Sequence, residues 1–197
     1  MVLGPLSPVP IAPIALTAVL AAERIFELAL TRRRLRGGRA IPSESARAFG
    51  ALVAVHVALL VLPPLEALFC GTRASGPLLS ASIAAALLAQ GLRYWCVVAL
   101  GRRWNARAAV APSAGFVERG PYRWIRHPNY LAVLVEFSAV PLAFGAWRAW
   151  LLLNFLHVPL IAARIRSEER LLRGIPGYAD RMGAKGRLLP RLRRRSV

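Results

Sequence analysis

Residues 120–136 read GPYRWIRHPNYLAVLVE, a basic, aromatic turn that runs into an apolar helix and leaves a glutamate inside it. Gly120 and Pro121 make a turn. Arg123, Arg126 and His127 are polar donors placed just before the apolar run. Pro128 has a fixed φ and no N–H, so it suits the first turn of a helix. The free N–H groups of such a helix start favour an anion or a carboxylate. Further on, residues 164–182 read RIRSEERLLRGIPGYADRM and supply Glu168 and Glu169, acceptors for hydroxyls or an ammonium. Arg173, one turn beyond the pair, offers a charge for an anionic head or for phosphate headgroups. Each feature has a plainer reading: a basic turn marks topology, and an acidic pair leaving an apolar run is solvated surface. The two in this order, around a short apolar hairpin, point to a small polar ligand.

The elements that must position these residues are apolar helices. The chain is 56% hydrophobic and only 18% charged, too apolar for an ordinary soluble domain. Its mean hydropathy is +0.47. A net charge of +18 would suit nucleic-acid binding, but the arginines sit in clusters between apolar runs, which argues against a nucleic-acid partner. Cys70 and Cys96 are isolated, so neither a metal site nor a disulfide framework is expected. Five apolar segments follow one another: Val9–Leu30, Phe49–Phe69, Pro77–Leu100, Tyr130–Phe144 and Ala149–Ala163. The first three reach the about 20 residues that a hydrocarbon core requires. The last two, at about 15 residues, span barely or incompletely, and the Gly145–Trp147 turn makes them a hairpin. The expected fold is all-α: a multi-pass membrane helical bundle of about five transmembrane helices with a C-terminal helical hairpin carrying the site. The first segment reads as a retained anchor. Residues 31–47 and 101–129 and the C-terminal tail are rich in arginine. The positive-inside rule therefore places them in the cytoplasm and the N-terminus outside. The same basic faces attract anionic membrane lipids.

Polar residues inside apolar segments are costly, so their level is informative. Glu23, His56, Arg93 and Glu136 each lie about seven residues, or roughly 10 Å, from the cytoplasmic end of their segment. His157 is comparable. The simplest reading is mutual neutralisation, for example of Glu23 with Arg93; the other is a polar floor under a cavity. Glu27, one turn after Glu23, is expected to face headgroups more readily than the cavity. Pro63 and Pro64 should kink or break the second segment.

GPYRWIRHPNY, a hairpin, and then the acidic pair with GYADR together resemble the isoprenylcysteine carboxyl methyltransferase family, strongly over residues 100–182. The resemblance implies an integral membrane enzyme that transfers a methyl group from S-adenosylmethionine, bound by the hairpin and its flanks. It implies cofactor contacts at His127, Pro128, Tyr130, Glu168 and Glu169, with Gly120 and Tyr122 shaping the turn. Arg126 joins them on its own chemistry. The chain would then be a single domain over 1–197, with N-terminal spans to residue 100, a cofactor-binding core over 101–182 and a basic tail over 183–197. Leu131 and Ala132 stand where the family often has glycine. Residues 23–28, ERIFEL, look more like bacterial members that sit beside type III polyketide synthases.

The lipophilic acceptor would enter from the bilayer and meet the methyl group near Glu136, Arg93 and Glu23. Glu23, Glu136 and His56 are the candidate bases for a phenolic acceptor, and Arg173 could orient an anionic head. The acceptor is expected to be an alkylresorcinol- or alkylpyrone-like lipid or a carboxyl group. The rival readings are phospholipid-type N-methylation and a non-enzymatic membrane protein that keeps the hairpin. A transporter is disfavoured by the lack of internal repeats.

Overall fold

The computed structural model describes residues 11–35, 41–106, 109–110 and 115–191. The expected external N-terminus, Arg107 and the end of the basic tail lie outside them. Five long helices account for the five apolar segments: α1 (Ile11–Leu35), α2 (Ala46–Cys70), α3 (Gly76–Leu100), α4 (Pro128–Ala143) and α5 (Trp147–Leu172). A short α6 (Tyr178–Met182) follows them. Two-residue strands β1 (Ile41–Pro42) and β2 (Ala109–Val110) pair antiparallel, so the α1–α2 loop is tied to the α3–α4 loop. The architecture is the all-α, multi-pass bundle that the composition implies.

Local chemistry sets the helix ends. The Ser45 and Ser75 hydroxyls accept from the backbone N–H of Ala48 and Leu78, at 3.2 and 3.4 Å, and so cap α2 and α3. Gly71, at φ 65°, ends α2. Pro128 occupies the first turn of α4, as its chemistry suggests. α2 runs through Pro63 and Pro64 without the break those residues suggested.

Helix length revises the count of apolar spans. By length and composition, three helices among the described residues can cross a hydrocarbon core: α2, α3 extended to Arg103, and α5. α5 has 26 residues, not about 15, because the helix continues past its apolar run through the acidic pair. α4 has 16 residues, about 24 Å, and is short of the core. α1 has 25 residues, but Glu23, Arg24 and Glu27 make it less apolar than a simple span. The outer faces are greasy: Val61, Leu65, Leu88, Val98, Leu151 and Phe155 are exposed. That is the pattern of a bundle solvated by lipid.

Packing follows from small residues. α3 and α4 make the most extensive helix contact in the bundle. The buried residues of α3 include Ser82, Ala86, Ala89 and Ala99, and those of α4 include Ala132, Ala139 and Ala143. Small side chains let two backbones approach where lipid offers no hydrophobic drive. Leu20, Leu59, Phe137, Val140, Phe144 and Leu153 fill the centre. Gly145 turns the hairpin at φ 68°, and a Cβ there would collide with the backbone of Arg73 and Ala74. The α4–α5 turn therefore seats on the α2–α3 turn. Beside it, the Glu66 carboxylate of α2 accepts from the N–H of Arg148 at 3.2 Å and of Ala149 at 2.7 Å. A residue of one helix thus caps the start of another, where free donors and the helix dipole both favour a negative charge.

Glu66→Ala is expected to cost about 1 kcal/mol of stability, as loss of a cap does. Glu66→Gln, which keeps an acceptor, should lose less. Thermal unfolding in detergent, followed by the monodisperse fraction, measures both.

Candidate active site

Between the helices and residues 104–106, 109–110 and 115–117 lies a cavity of about 1030 Å³, at the upper end of ordinary ligand pockets. Its lining includes polar and aromatic side chains, Arg126, His127, Tyr130, Glu168 and Tyr178. It also includes apolar ones, Leu52, Val53, Val57, Leu60, Val133 and Ile161. Arg24, Glu27, His56, Arg93 and Asn129 also line it.

The polar lining is built on the turn. Gly120 has φ 59°, and a Cβ on it would come within 3.0 Å of Ala99 and Trp95. Glycine is what lets the turn lie against α3. Gly120 and Pro128 do not line the cavity; both set the backbone of the turn. Tyr122 does line it, packed with Cys96, Ala99 and Val117, and burial pushes its phenol well above the usual range. Beyond Tyr122 the chain pairs with the segment after α6. The N–H of Arg126 donates to the Gly186 carbonyl, and that of His127 to the Arg187 carbonyl, both at 2.9 Å. Residues assigned by sequence to the basic tail thus brace the turn.

The two adjacent glutamates have different tasks. Glu169 is 2% exposed and does not line the cavity. Its Oε1 lies 3.0 Å from Arg126 Nη1 and 3.2 Å from His127 Nε2, and its Oε2 lies 2.8 Å from Arg187 Nη2. It is an anchor for the cations of the turn. Glu168 does face the cavity and accepts from the Tyr130 hydroxyl at 2.6 Å. Arg164 also lines the cavity, lying 3.4 Å from Glu44, donating to the Ala106 carbonyl and standing 5.8 Å from the centre of the Tyr130 ring.

Three buried donors of lining residues have no hydrogen-bond partner: Arg126 Nε, Arg164 Nε and the Tyr178 hydroxyl. Burial pushes the Tyr178 phenol up to about 12, so its proton is present at neutral pH. With the Glu168 carboxylate and the apolar surfaces of Phe116, Leu172 and Met182, this wall offers donors, an acceptor and a face for a flat ring.

The polar layer deeper in the bundle is real but differently wired. Arg24 is its hub. Its Nη2 donates to both Glu136 oxygens, at 2.8 and 2.6 Å, and its Nη1 to Glu27 at 2.6 Å. Arg93 completes the network by donating to Glu27 at 2.7 and 2.5 Å. Arg93 thus pairs with Glu27, not with Glu23. Glu27 lies inside the network and not among headgroups, its side chain 13% exposed. Glu23 does not line the cavity, and its Oε2 is buried without a partner. Glu136 is 1% exposed and shut behind Arg24. Neither lines the cavity. Arg173 is also outside the cavity, its side chain 62% exposed and 3.7 Å from Glu169. Arg24, Asn129 and Arg164 were missed from sequence. The spacing of Arg24 to Glu27, three residues apart in an apolar run, was the available signal for the hub.

His56 alone among the three candidate bases lines the cavity. Its Nδ1 is 2.8 Å from the Leu52 carbonyl, which can only accept. Nδ1 therefore carries the proton, and in the neutral ring Nε2 has the free lone pair. The ring meets the edges of Phe137 and His157, with centroids 5.0 and 5.6 Å away. His157 is fully buried, stacked on Phe137 at 3.5 Å, and takes no part in lining the cavity.

The sequence model of the "Isoprenylcysteine carboxyl methyltransferase (ICMT) family" matches residues 82–174, which run from α3 through α5 and include the turn and both glutamates. The chain is also 31% identical over 163 residues to "Uncharacterized protein YpbQ" of Bacillus subtilis (strain 168). That alignment covers 80% of this chain and 94% of that protein.

Arg24→Met leaves the Glu136 carboxylate buried without its cation and is expected to cost about 3 kcal/mol. Arg24→Met with Glu136→Leu removes both charges and should recover most of the loss. Thermal unfolding of the purified variants in detergent checks the pair. A single variant as stable as wild type would show that Glu136 finds another cation.

Proposed function

Because this chain belongs to the isoprenylcysteine carboxyl methyltransferase family, a family of membrane methyltransferases, we propose that it moves a methyl group from S-adenosylmethionine to the hydroxyl of a lipophilic acceptor. The observation that carries this reading is one cavity lined both by polar residues of the turn and by apolar side chains of the helices, with His56 among them.

The polar lining suits the cofactor. The unpartnered donors of Arg126 and Tyr178 fit its carboxylate, and Glu168 fits its ammonium or ribose hydroxyls. Phe116, Leu172 and Met182 offer the adenine an apolar bed. When bound, the cofactor supplies an electrophilic methyl group on a sulfonium. The protein's part is to align, to exclude water and to manage a proton. Glu169 holds Arg126 and His127 in place, and Tyr130 holds Glu168.

The apolar lining suits the acceptor's tail, which enters from the bilayer. Its head then meets His56, Arg24 and Arg93. A carboxyl group is ionised at neutral pH and requires no base. A phenol or an enol does, and His56 Nε2 is a free lone pair at the cavity wall. Arg24 and Arg93 favour the oxyanion that forms. This supports an alkylresorcinol- or alkylpyrone-like lipid over a carboxylate. The arginine-rich loops support an inner-membrane location with the cofactor site facing the cytoplasm.

Labelled S-adenosylmethionine should bind the purified protein in detergent. Glu168→Ala should weaken binding about tenfold, as loss of a charged hydrogen-bond partner does. His56→Gln should keep binding and lower methyl transfer to a long-chain resorcinol about a hundredfold. Unchanged binding in Glu168→Ala overturns the cofactor assignment. Full transfer activity in His56→Gln, or transfer only to phospholipid amines or carboxylates, overturns the hydroxyl acceptor.

A further inference from the structure

A second cavity lies beside the first, past the end of α5. It has a volume of about 370 Å³ and is walled by Arg126, Arg173, Arg187 and Arg191, with Tyr178 between them. No described residue that lines it is acidic. The carboxylate nearest to these arginines is Glu169, and it is already fully engaged. Its Oε1 serves Arg126 and His127, and its Oε2 serves Arg187, with Arg173 at 3.7 Å. Glu118 is taken up by Arg181 and Lys185, both at 3.3 Å. Asp180 is exposed on α6 and does not line the cleft. Glu169 is thus shared by three arginines, Arg126, Arg173 and Arg187, so among the described residues that line the cleft positive charge is in excess. Like charges at such separations repel unless an anion joins them.

The cleft is built to receive one. The heads of Arg173 and Arg187 are 62% and 50% exposed, so both can turn toward a ligand. Arg126 is the fixed wall: its side chain is 10% exposed, and its Nε has no partner. The Tyr178 hydroxyl is likewise buried without one. Guanidinium forks are the donor set for a phosphate oxyanion. Position argues for a lipid source. Arg173 is the first residue beyond a helix that can cross the bilayer, which puts the cleft at headgroup level. Leu189, close to Arg191 in sequence, is 69% exposed and apolar, a side chain suited to the acyl boundary.

We propose that this cleft is a binding site for the phosphate of an anionic lipid headgroup. Arg173, Arg187 and Arg191 supply the charge for the phosphate, and Arg126 and Tyr178, whose buried donors the cofactor's carboxylate would take, form the wall shared with the first cavity. Arg126 and Tyr178 line both cavities. A headgroup here would therefore steady the same residues that face the methyl-transfer cavity. The site stands on its own geometry and does not depend on which acceptor is methylated.

The test is retention of lipid by the full-length protein. Native mass spectrometry would compare phosphatidylglycerol with phosphatidylcholine on protein purified in detergent. We expect one phosphatidylglycerol retained at least about tenfold in preference, as fits two or more charge-assisted hydrogen bonds. Arg173→Gln/Arg191→Gln should abolish that preference, and Arg173→Lys/Arg191→Lys should keep most of it. Arg47→Gln/Arg148→Gln, which removes equal charge elsewhere, should leave it unchanged. A second arm measures melting temperature of delipidated protein in phosphate against chloride at equal ionic strength. Stabilisation by phosphate that only the cleft variant loses, without a lipid preference, assigns the same site to free phosphate. Equal retention of both lipids with no effect of phosphate overturns the proposal. So does an equal loss in the cleft variant and the control.

Discussion

A charge inside a bilayer has no water to solvate it, so it must meet an opposite charge or not be there. The group formed by Arg24, Glu27, Arg93 and Glu136 obeys that constraint, and much of the bundle depends on it. Two arginines and two glutamates from α1, α3 and α4 close into one network of short hydrogen bonds. α4 is too short to be held by its own apolar length, and α1 is too polar. The network ties both to α3. It also fixes part of the cavity wall, since Arg24, Glu27 and Arg93 are lining residues while Glu136 is not. A buried ion pair adds little net stability, and its value here lies in specifying which helix faces meet.

The same logic repeats at the turn. Glu169 is a buried anion that collects Arg126, His127 and Arg187. By doing so it joins three separate pieces of chain: the segment before α4, the end of α5 and the segment after α6. The backbone bonds from Arg126 and His127 to Gly186 and Arg187 lock the arrangement. Glu168, next in sequence, is left free to face the cavity. One glutamate holds the wall and its neighbour presents chemistry to it. Three arginines around Glu169 also create the surplus of charge that opens toward the second cleft.

Much of this was legible in the residues. Apolar segments separated by arginine clusters specify a bundle of helices, because hydrocarbon and water sort side chains by polarity alone. The turn residues are legible for similar reasons: Gly120 and Pro128 have backbone preferences that do not depend on partners. His56 was legible as a polar residue at the right level. The long α5 was not, because its last turns are polar and its helicity comes from the packing of Ile165 and Glu169.

What the sequence by itself determined was the set of helices, their order, the turn before α4 and the family to which these belong. What only the tertiary structure decided was which of several neighbouring polar residues faces the cavity. Successive residues on a helix point about 100° apart. Glu23, Arg24 and Glu27 therefore exchange roles with a small rotation of α1, and Glu168 and Glu169 with a small rotation of α5. No periodicity fixes that rotation when the helix carries polar groups on more than one side. The partners fix it: Glu136 and Arg93 draw in Arg24 and Glu27 and leave Glu23 aside, while Arg126 and Arg187 claim Glu169 and leave Glu168 to the cavity.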